Sequence, residues 1–255
     1  MFHKVHEGGN LPGVVFATMF TGTYIEEAQD LISTLEKFDL SYHIEEWPSG
    51  GSWKANNFQR FLFLQEQFDR YPDKAVVWTD ADSRVLQLPV LLQSYVDRGG
   101  IDIAAHVYRR PDDRPYYIVT RKGKYYCHRR QEMYHGTCYY GPGAARKEFL
   151  TDVLHWISME PTLHARSQPY VDDVLYRWWG SFRKFTFVEM PRNYAQVFDT
   201  PRIDGEPVIL HRQSGRVHKP TVNKDSAPFW KCPGWKRGMR INKALIRRLV
   251  GTDGS

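Results

Sequence analysis

Three short apolar runs alternate with two amphipathic stretches over the first eighty residues, and this alternation restricts the fold more than any other feature of the chain. Val14-Val15-Phe16-Ala17-Thr18-Met19-Phe20 has the continuous apolar character of a strand buried on both faces. Thr23 and Glu26 have capping-box spacing and open a helix, in which Ile25, Ala28, Leu31, Ile32, Leu35 and Phe38 recur at helical intervals. Ser41 to Trp47 is a second strand, with Tyr42, Ile44 and Glu46 on one face. After the loop Pro48-Ser49-Gly50-Gly51, a helix from Lys54 to Arg70 turns Phe58, Phe61, Leu62 and Phe68 inward. Tyr71-Pro72-Asp73 ends it, and Ala75-Val76-Val77-Trp78-Thr79 is the third strand. Strands and helices in strict alternation with short connections predict an α/β fold. The sheet is Rossmann-type and mostly parallel, and right-handed crossovers put helices on both faces.

Farther along, Ile101 to Ala105 and Thr137 to Tyr140 are strand-like, and Gly143 to Ser158 is helical by its apolar spacing. A second helix opens at Pro169, a good first-turn residue. Lys184 to Met190 and Pro207 to His211 are two more strands. No linker-like composition divides the chain, so the expectation is a single domain over residues 1–230 with a basic tail over 231–255.

Composition excludes several classes. A chain of 255 residues with 42% hydrophobic and 15% aromatic content is not disordered. No apolar run is long enough for a transmembrane segment, and the first seven residues lack the apolar core of a secretory leader. Cys127, Cys138 and Cys232 are unevenly spaced and match no zinc pattern, which fits a reducing, cytoplasmic setting. The net charge of +6 is concentrated: residues 106–130 carry eight Lys/Arg against two acids, and the rest balances at 27 of each sign. A second basic stretch opens at Lys231 and meets no acid through Arg247. Charge gathered in this way implies an anionic partner.

Asp80-Ala81-Asp82 directly follows the third strand. Two carboxylates one residue apart at a strand's carboxyl end can hold a divalent cation against a diphosphate, and ligand sites of open α/β sheets lie at those ends. The plainer alternative is a pair of turn-capping aspartates. The run Val77 to Val85 resembles the metal-binding segment of the GT-A-fold glycosyltransferases. Four further segments agree with that family in order: Trp53 to Leu64, His135 to Pro142, Gln168 to Leu175, and Pro207 to His211. The resemblance covers roughly residues 13–219.

The resemblance implies that Asp80 and Asp82 bind Mn2+ or Mg2+ with His211 as third protein ligand, Asp82 most directly, and that a nucleotide sugar, a UDP-sugar, is the donor. It places Thr18, Phe20, Thr21 and Tyr24 beside the nucleotide base, and Gly136 and Thr137 where the donor sugar approaches the backbone. Lys54 and Arg84 would contact diphosphate or sugar; as plain residues they are solvated charges. Asp172 or Asp173 would act as general base towards the acceptor hydroxyl or hold the donor sugar. Carboxylates at a helix start are also favoured by the dipole alone. His211 near a strand end and Tyr24 at a helix start have equally ordinary structural readings.

Tyr108, Tyr116, Tyr117, Tyr125 and Tyr126 interleave with the cations of segment 106–130. Cations hold phosphates and aromatic faces stack on unpaired bases. The favoured acceptor is therefore a polyanion such as viral-type DNA bearing a hydroxymethylated pyrimidine, the base extruded to reach the site. A glycan, lipid-linked or protein acceptor is the alternative within the same fold. A nucleotidyltransferase or phosphoesterase, and a non-enzymatic nucleic-acid-binding module, are the readings from other classes.

Overall fold

The computed structural model describes residues 2–51, 53–109, 116–120, 123–127, 131–159, 171, 174, 186–200, 202 and 204–213. All seven residues of the first apolar run are buried in one strand, Val14–Phe20. It is the second strand in chain order, β2, because His3–His6 forms a short edge strand, β1, that the sequence pattern did not reveal. The remaining elements are α1 (Ile25–Lys37), β3 (Tyr42–Glu46), α2 (Trp53–Arg70), β4 (Ala75–Thr79), β5 (Ser83–Val85), α3 (Val90–Arg98) and β6 (Ile103–Arg109). They continue with β7 (Tyr116–Thr120), β8 (Gly123–Cys127), β9 (Gln131–Tyr140), α4 (Ala144–Met159), β10 (Phe187–Glu189), β11 (Gln196–Val197) and β12 (Ile209–His211).

The main sheet has seven strands in the order β1-β3-β2-β4-β9-β6-β10. β3, β2, β4, β6 and β10 run one way, while β1 and β9 run against them. β9 is reversed because the chain leaves β6 through the β7–β8 hairpin and returns beside it. The expected mostly parallel α/β sheet is thus present, with one antiparallel strand set into its middle. β3 and β4 flank β2 on opposite sides, which makes the gap between β2 and β4 a switch point where two crossovers diverge.

Period-two alternation divides the core. Val15, Ala17, Met19, Val76, Trp78, Ile103, Ala105, Cys138 and Tyr140 face α2 and α4. Val14, Phe16, Phe20, Ala75, Val77, Ala104 and Tyr139 face Ala28, Leu31, Ile32 and Leu35 of α1 and Leu92 and Tyr95 of α3. α2 buries Phe63 and Leu64 as well as Phe58, Phe61, Leu62 and Phe68, because it is wedged between the sheet and α4. Its C-terminal end is closed by Arg146 of α4, whose guanidinium donates to the carbonyls of Phe68, Tyr71, Pro72 and Lys74. α3 stops at Gly99, whose φ of 65° suits a residue without Cβ.

Two local expectations are corrected. Thr23 and Glu26 form no capping box: Tyr24 occupies the N-cap and no side chain caps the helix. A 3-10 turn over Gly22–Tyr24 leads in, with the Tyr24 amide bonded to the Thr21 carbonyl. Ile25, expected on the inner face, is 37% exposed at the helix start. Of the helix expected from Pro169, Val171 and Val174 are described, and both are buried against the α2–α4 side. The tail beyond 213 lies outside the described residues, and no described helix is long and apolar enough to cross a membrane.

Candidate metal centre

Asp80 begins the turn that leaves β4 at the switch point. Its amide donates to the Gly136 carbonyl of β9 at 2.9 Å, and its carbonyl accepts the Ser83 amide at 3.0 Å. These bonds fold Asp80-Ala81-Asp82-Ser83 into a tight turn, with Ala81 buried in the core below. The turn feeds β5, which belongs to a second, three-stranded sheet, β11-β12-β5. Antiparallel pairing there sets His211 of β12 directly opposite Ser83. A residue 128 positions from Ser83 thereby reaches the carboxylates: ligand atoms of Asp80, Asp82 and His211 all lie within 4.8 Å of one another.

The His211 ring is fully buried between two hydroxyls. Ser83 Oγ lies 2.9 Å from Nδ1 and Thr137 Oγ1 lies 2.8 Å from Nε2. Burial depresses its pKa to about 3, so the imidazole is neutral, the form that binds metal. Thr137 is placed by its register with Thr79, whose carbonyl in turn accepts the Thr18 hydroxyl at 2.7 Å.

Asp80 keeps some accessible surface at the rim, yet desolvation raises its pKa to about 7, with the Asp82 charge adding to the shift. Arg60 and a 3.1 Å hydrogen bond from the Trp78 indole oppose that rise. Asp82 is 8% exposed. The Tyr24 phenol is held neutral, by burial first and then by the charges of Asp82, Asp80 and Glu27. Two carboxylates and one neutral imidazole, with like charges crowded together, fit a hard divalent cation such as Mn2+ or Mg2+.

Among the other residues singled out from sequence, Thr18, Tyr24, Gly136 and Thr137 border this turn. Thr21 is buried with its carbonyl bonded to the Tyr24 amide, and Phe20 is 3% exposed in the core against Phe2. The Arg84 guanidinium faces α1, bonding Asp30 and the carbonyls of Glu27 and Ser83. Alternation along β5 explains this, since Ser83 and Arg84 must point to opposite faces. Lys54 falls in the first turn of α2. Asp172 and Asp173 lie outside the described residues.

Sequence reasoning missed Ser83, Trp78 and Arg60. Arg60 is 6% exposed, with its guanidinium 5.8 Å from the Trp78 ring centroid. Its signal was a cation between Phe58 and Phe61 on the apolar face of an amphipathic helix.

No protein-family model and no curated protein sequence matches the chain. Solved structures do match. One is a glycosyltransferase involved in the glycosylation of the major capsid of PBCV-1, at 13% identity, covering 83% of this chain and 98% of that one with a TM-score of 0.53. Mouse xyloside xylosyltransferase 1 matches at 11% identity over 78% of this chain and 97% of its own, TM-score 0.48. The galactosyltransferase LgtC, solved with donor and acceptor sugar analogs, matches at 9% identity over 90% and 95%, TM-score 0.47. The PBCV-1 likeness, spanning nearly all of that enzyme, carries the assignment: this chain has the GT-A glycosyltransferase fold.

Proposed function

We propose that the protein transfers a sugar from a nucleoside-diphosphate sugar, a UDP-sugar, to an acceptor hydroxyl, with Mn2+ or Mg2+ held by Asp80, Asp82 and His211. One observation carries this reading: three ligand side chains, two from the turn between β4 and β5 and one from β12, converge at the carboxyl edge of the sheet, beside its switch point. When bound, the cation neutralises charge that develops on the departing diphosphate. One of the Ser83 and Thr137 hydroxyls orients the His211 ring while the other yields its ring nitrogen to the ion, and Trp78 holds one Asp80 oxygen. Thr18, Thr21 and Tyr24 border the nucleotide side, and Gly136 the sugar. Arg84 braces β5 on α1, and Lys54 opens α2 on the diphosphate side. Asp172 and Asp173 would take the acceptor proton or hold the donor sugar.

The test is calorimetric binding of several nucleoside diphosphates with and without Mn2+. UDP binding that requires the metal, and loses that requirement in Asp82→Ala, supports the proposal. Metal-independent binding, or an unaltered Asp82→Ala variant, refutes it.

For the acceptor, the charge of segment 106–130 favours a polyanion, with hydroxymethylpyrimidine DNA as the specific proposal. The β7–β8 hairpin carries Tyr116, Tyr117, Tyr125 and Tyr126. It extends from the end of β6, which runs in the direction of β4, so it leaves the sheet at the edge that bears Asp80. Duplex binding should weaken steeply with salt. Salt-insensitive or undetectable binding would transfer the assignment to a glycan, lipid-linked or protein acceptor.

A further inference from the structure

A second cluster of metal-binding side chains stands at the opposite flank of the switch point, on β1 and β3. His43 and Glu45 are two residues apart on β3 and so share one sheet face. His3 on β1 is the direct cross-strand partner of Glu45, which puts it on that same face, diagonal to His43. Ligand atoms of all three lie within 4.8 Å of one another. The His3 and His43 ring centroids are 4.9 Å apart, and His43 Nε2 is 3.5 Å from Glu45 Oε2.

We propose that His3, His43 and Glu45, with water in the fourth position, form a zinc site that clasps the edge strand β1 to β3. Bonds of 2.0–2.2 Å in a tetrahedron place ligand atoms about 3.4 Å apart. The His43–Glu45 separation already meets that spacing, and the exposed His3 ring can close the remainder by side-chain rotation. His43 is fully buried, and the Tyr71 hydroxyl lies 3.2 Å from its Nδ1, which leaves Nε2 directed at Glu45. An outer partner of this kind fixes ring orientation at a metal. The ring is wedged edge-on against Phe63 and Tyr71, so its position is rigid before any ion arrives. Two imidazoles and one carboxylate favour Zn2+, whereas two carboxylates and one imidazole at Asp80 favour harder ions. β2 separates the two sites in the sheet, so each can be removed without the other.

The clasp has a structural use. β1 is four residues long and largely exposed, tied to α1 through Lys4 and Glu36 at 2.7 Å. An ion shared between β1 and β3 would hold this edge strand in register.

The test uses the full chain in an Asp80→Asn background, which abolishes cation binding at the first site. Equilibrium dialysis should find one Zn2+ per chain, lost on adding His3→Ala, an exposed change that leaves the circular dichroism unaltered. Tyr71→Phe should weaken binding about 10- to 100-fold. Co2+ substituted for Zn2+ should give the intense visible bands of a tetrahedral ion, and Zn2+ should slow amide exchange at Lys4 and Val5. Absent Zn2+ binding, or binding and exchange unchanged by His3→Ala, overturns the proposal.

Discussion

Cation binding at Asp80 should expel a proton, and the structure sets the pH at which it does so. The groups around this carboxylate are Asp82, His211, Tyr24 and Arg60, with the Trp78 indole donating to it. Burial and Asp82 together hold Asp80 at about 7, while His211, at about 3, stays neutral across the working range. Only an ionised Asp80 can ligate the metal. With a pKa of about 7, roughly one molecule in eleven is competent at pH 6 and about one in a hundred at pH 5. Mn2+ affinity should therefore fall about tenfold and about a hundredfold below its plateau above pH 8. The assay is titration calorimetry with Mn2+ alone, in two buffers of different ionisation enthalpy and in a His3→Ala background. About 0.9 proton should be released per ion at pH 6 and about 0.1 at pH 8. Asp82→Asn removes the neighbouring charge, so its release should move to lower pH while the plateau affinity weakens. Affinity that is flat from pH 5 to 8, with no proton released, would refute the reasoning.

Asp80→Asn should stabilise the metal-free protein at pH 8 while abolishing cation binding. A rise of about three pH units corresponds to an upper bound of about 4 kcal/mol, read by urea denaturation, and the gain should vanish towards pH 4. Ser83→Ala and Thr137→Val should differ in their effect on Mn2+ affinity. The hydroxyl on the His211 nitrogen that does not bind metal orients the ring, and its loss should cost about 10- to 100-fold; equal, negligible effects would remove His211 from the ligand set. Arg146→Met leaves four carbonyls at the end of α2 without their shared donor. Each charge-assisted bond is worth about 1.5–3 kcal/mol, offset in part by methionine packing on Phe68, so a net loss of about 3 kcal/mol is expected in denaturant midpoints.

What was legible in the sequence follows from what is local. β2, β3 and β4 and helices α1, α2 and α4 were visible because their apolar residues recur with the period of the element that buries them. β1 was not, since His3-Lys4-Val5-His6 is an exposed edge whose only apolar residue points to solvent. α3 buries just Leu92 and Tyr95 over nine residues, too few to establish a period. Likewise, only the last four residues of β9, Thr137 to Tyr140, were recognised as a strand, and not as an antiparallel one, because direction is set by the β7–β8 hairpin and not by anything within Gln131–Tyr140. At the site, the Asp80/Asp82 pair was visible as adjacent letters. Ser83 and Thr137 acquire their meaning only from the imidazole between them, brought there by a pairing of β5 with β12 that no local pattern encodes.

The site's electrostatics unite these features. Burial displaces Asp80 upward and His211 downward, so the same cause favours the uncharged form of both. The effects on stability have opposite signs. The folded chain retains the Asp80 proton that the unfolded chain loses above about 3.8, so stability falls as pH rises from there to about 7. It refuses the His211 proton that the unfolded chain takes up below about 6.5, so stability falls as pH drops from there to about 3. Over the shared window the two slopes cancel, so the combined cost of keeping acid and base uncharged stays level with pH. Above about 6.5 only the Asp80 cost remains, complete once Asp80 ionises beside Asp82 near 7, and a divalent cation would offset it by taking the proton's place. Below about pH 7 the metal-free pocket keeps Asp80 and His211 uncharged, and cation binding there would ionise Asp80.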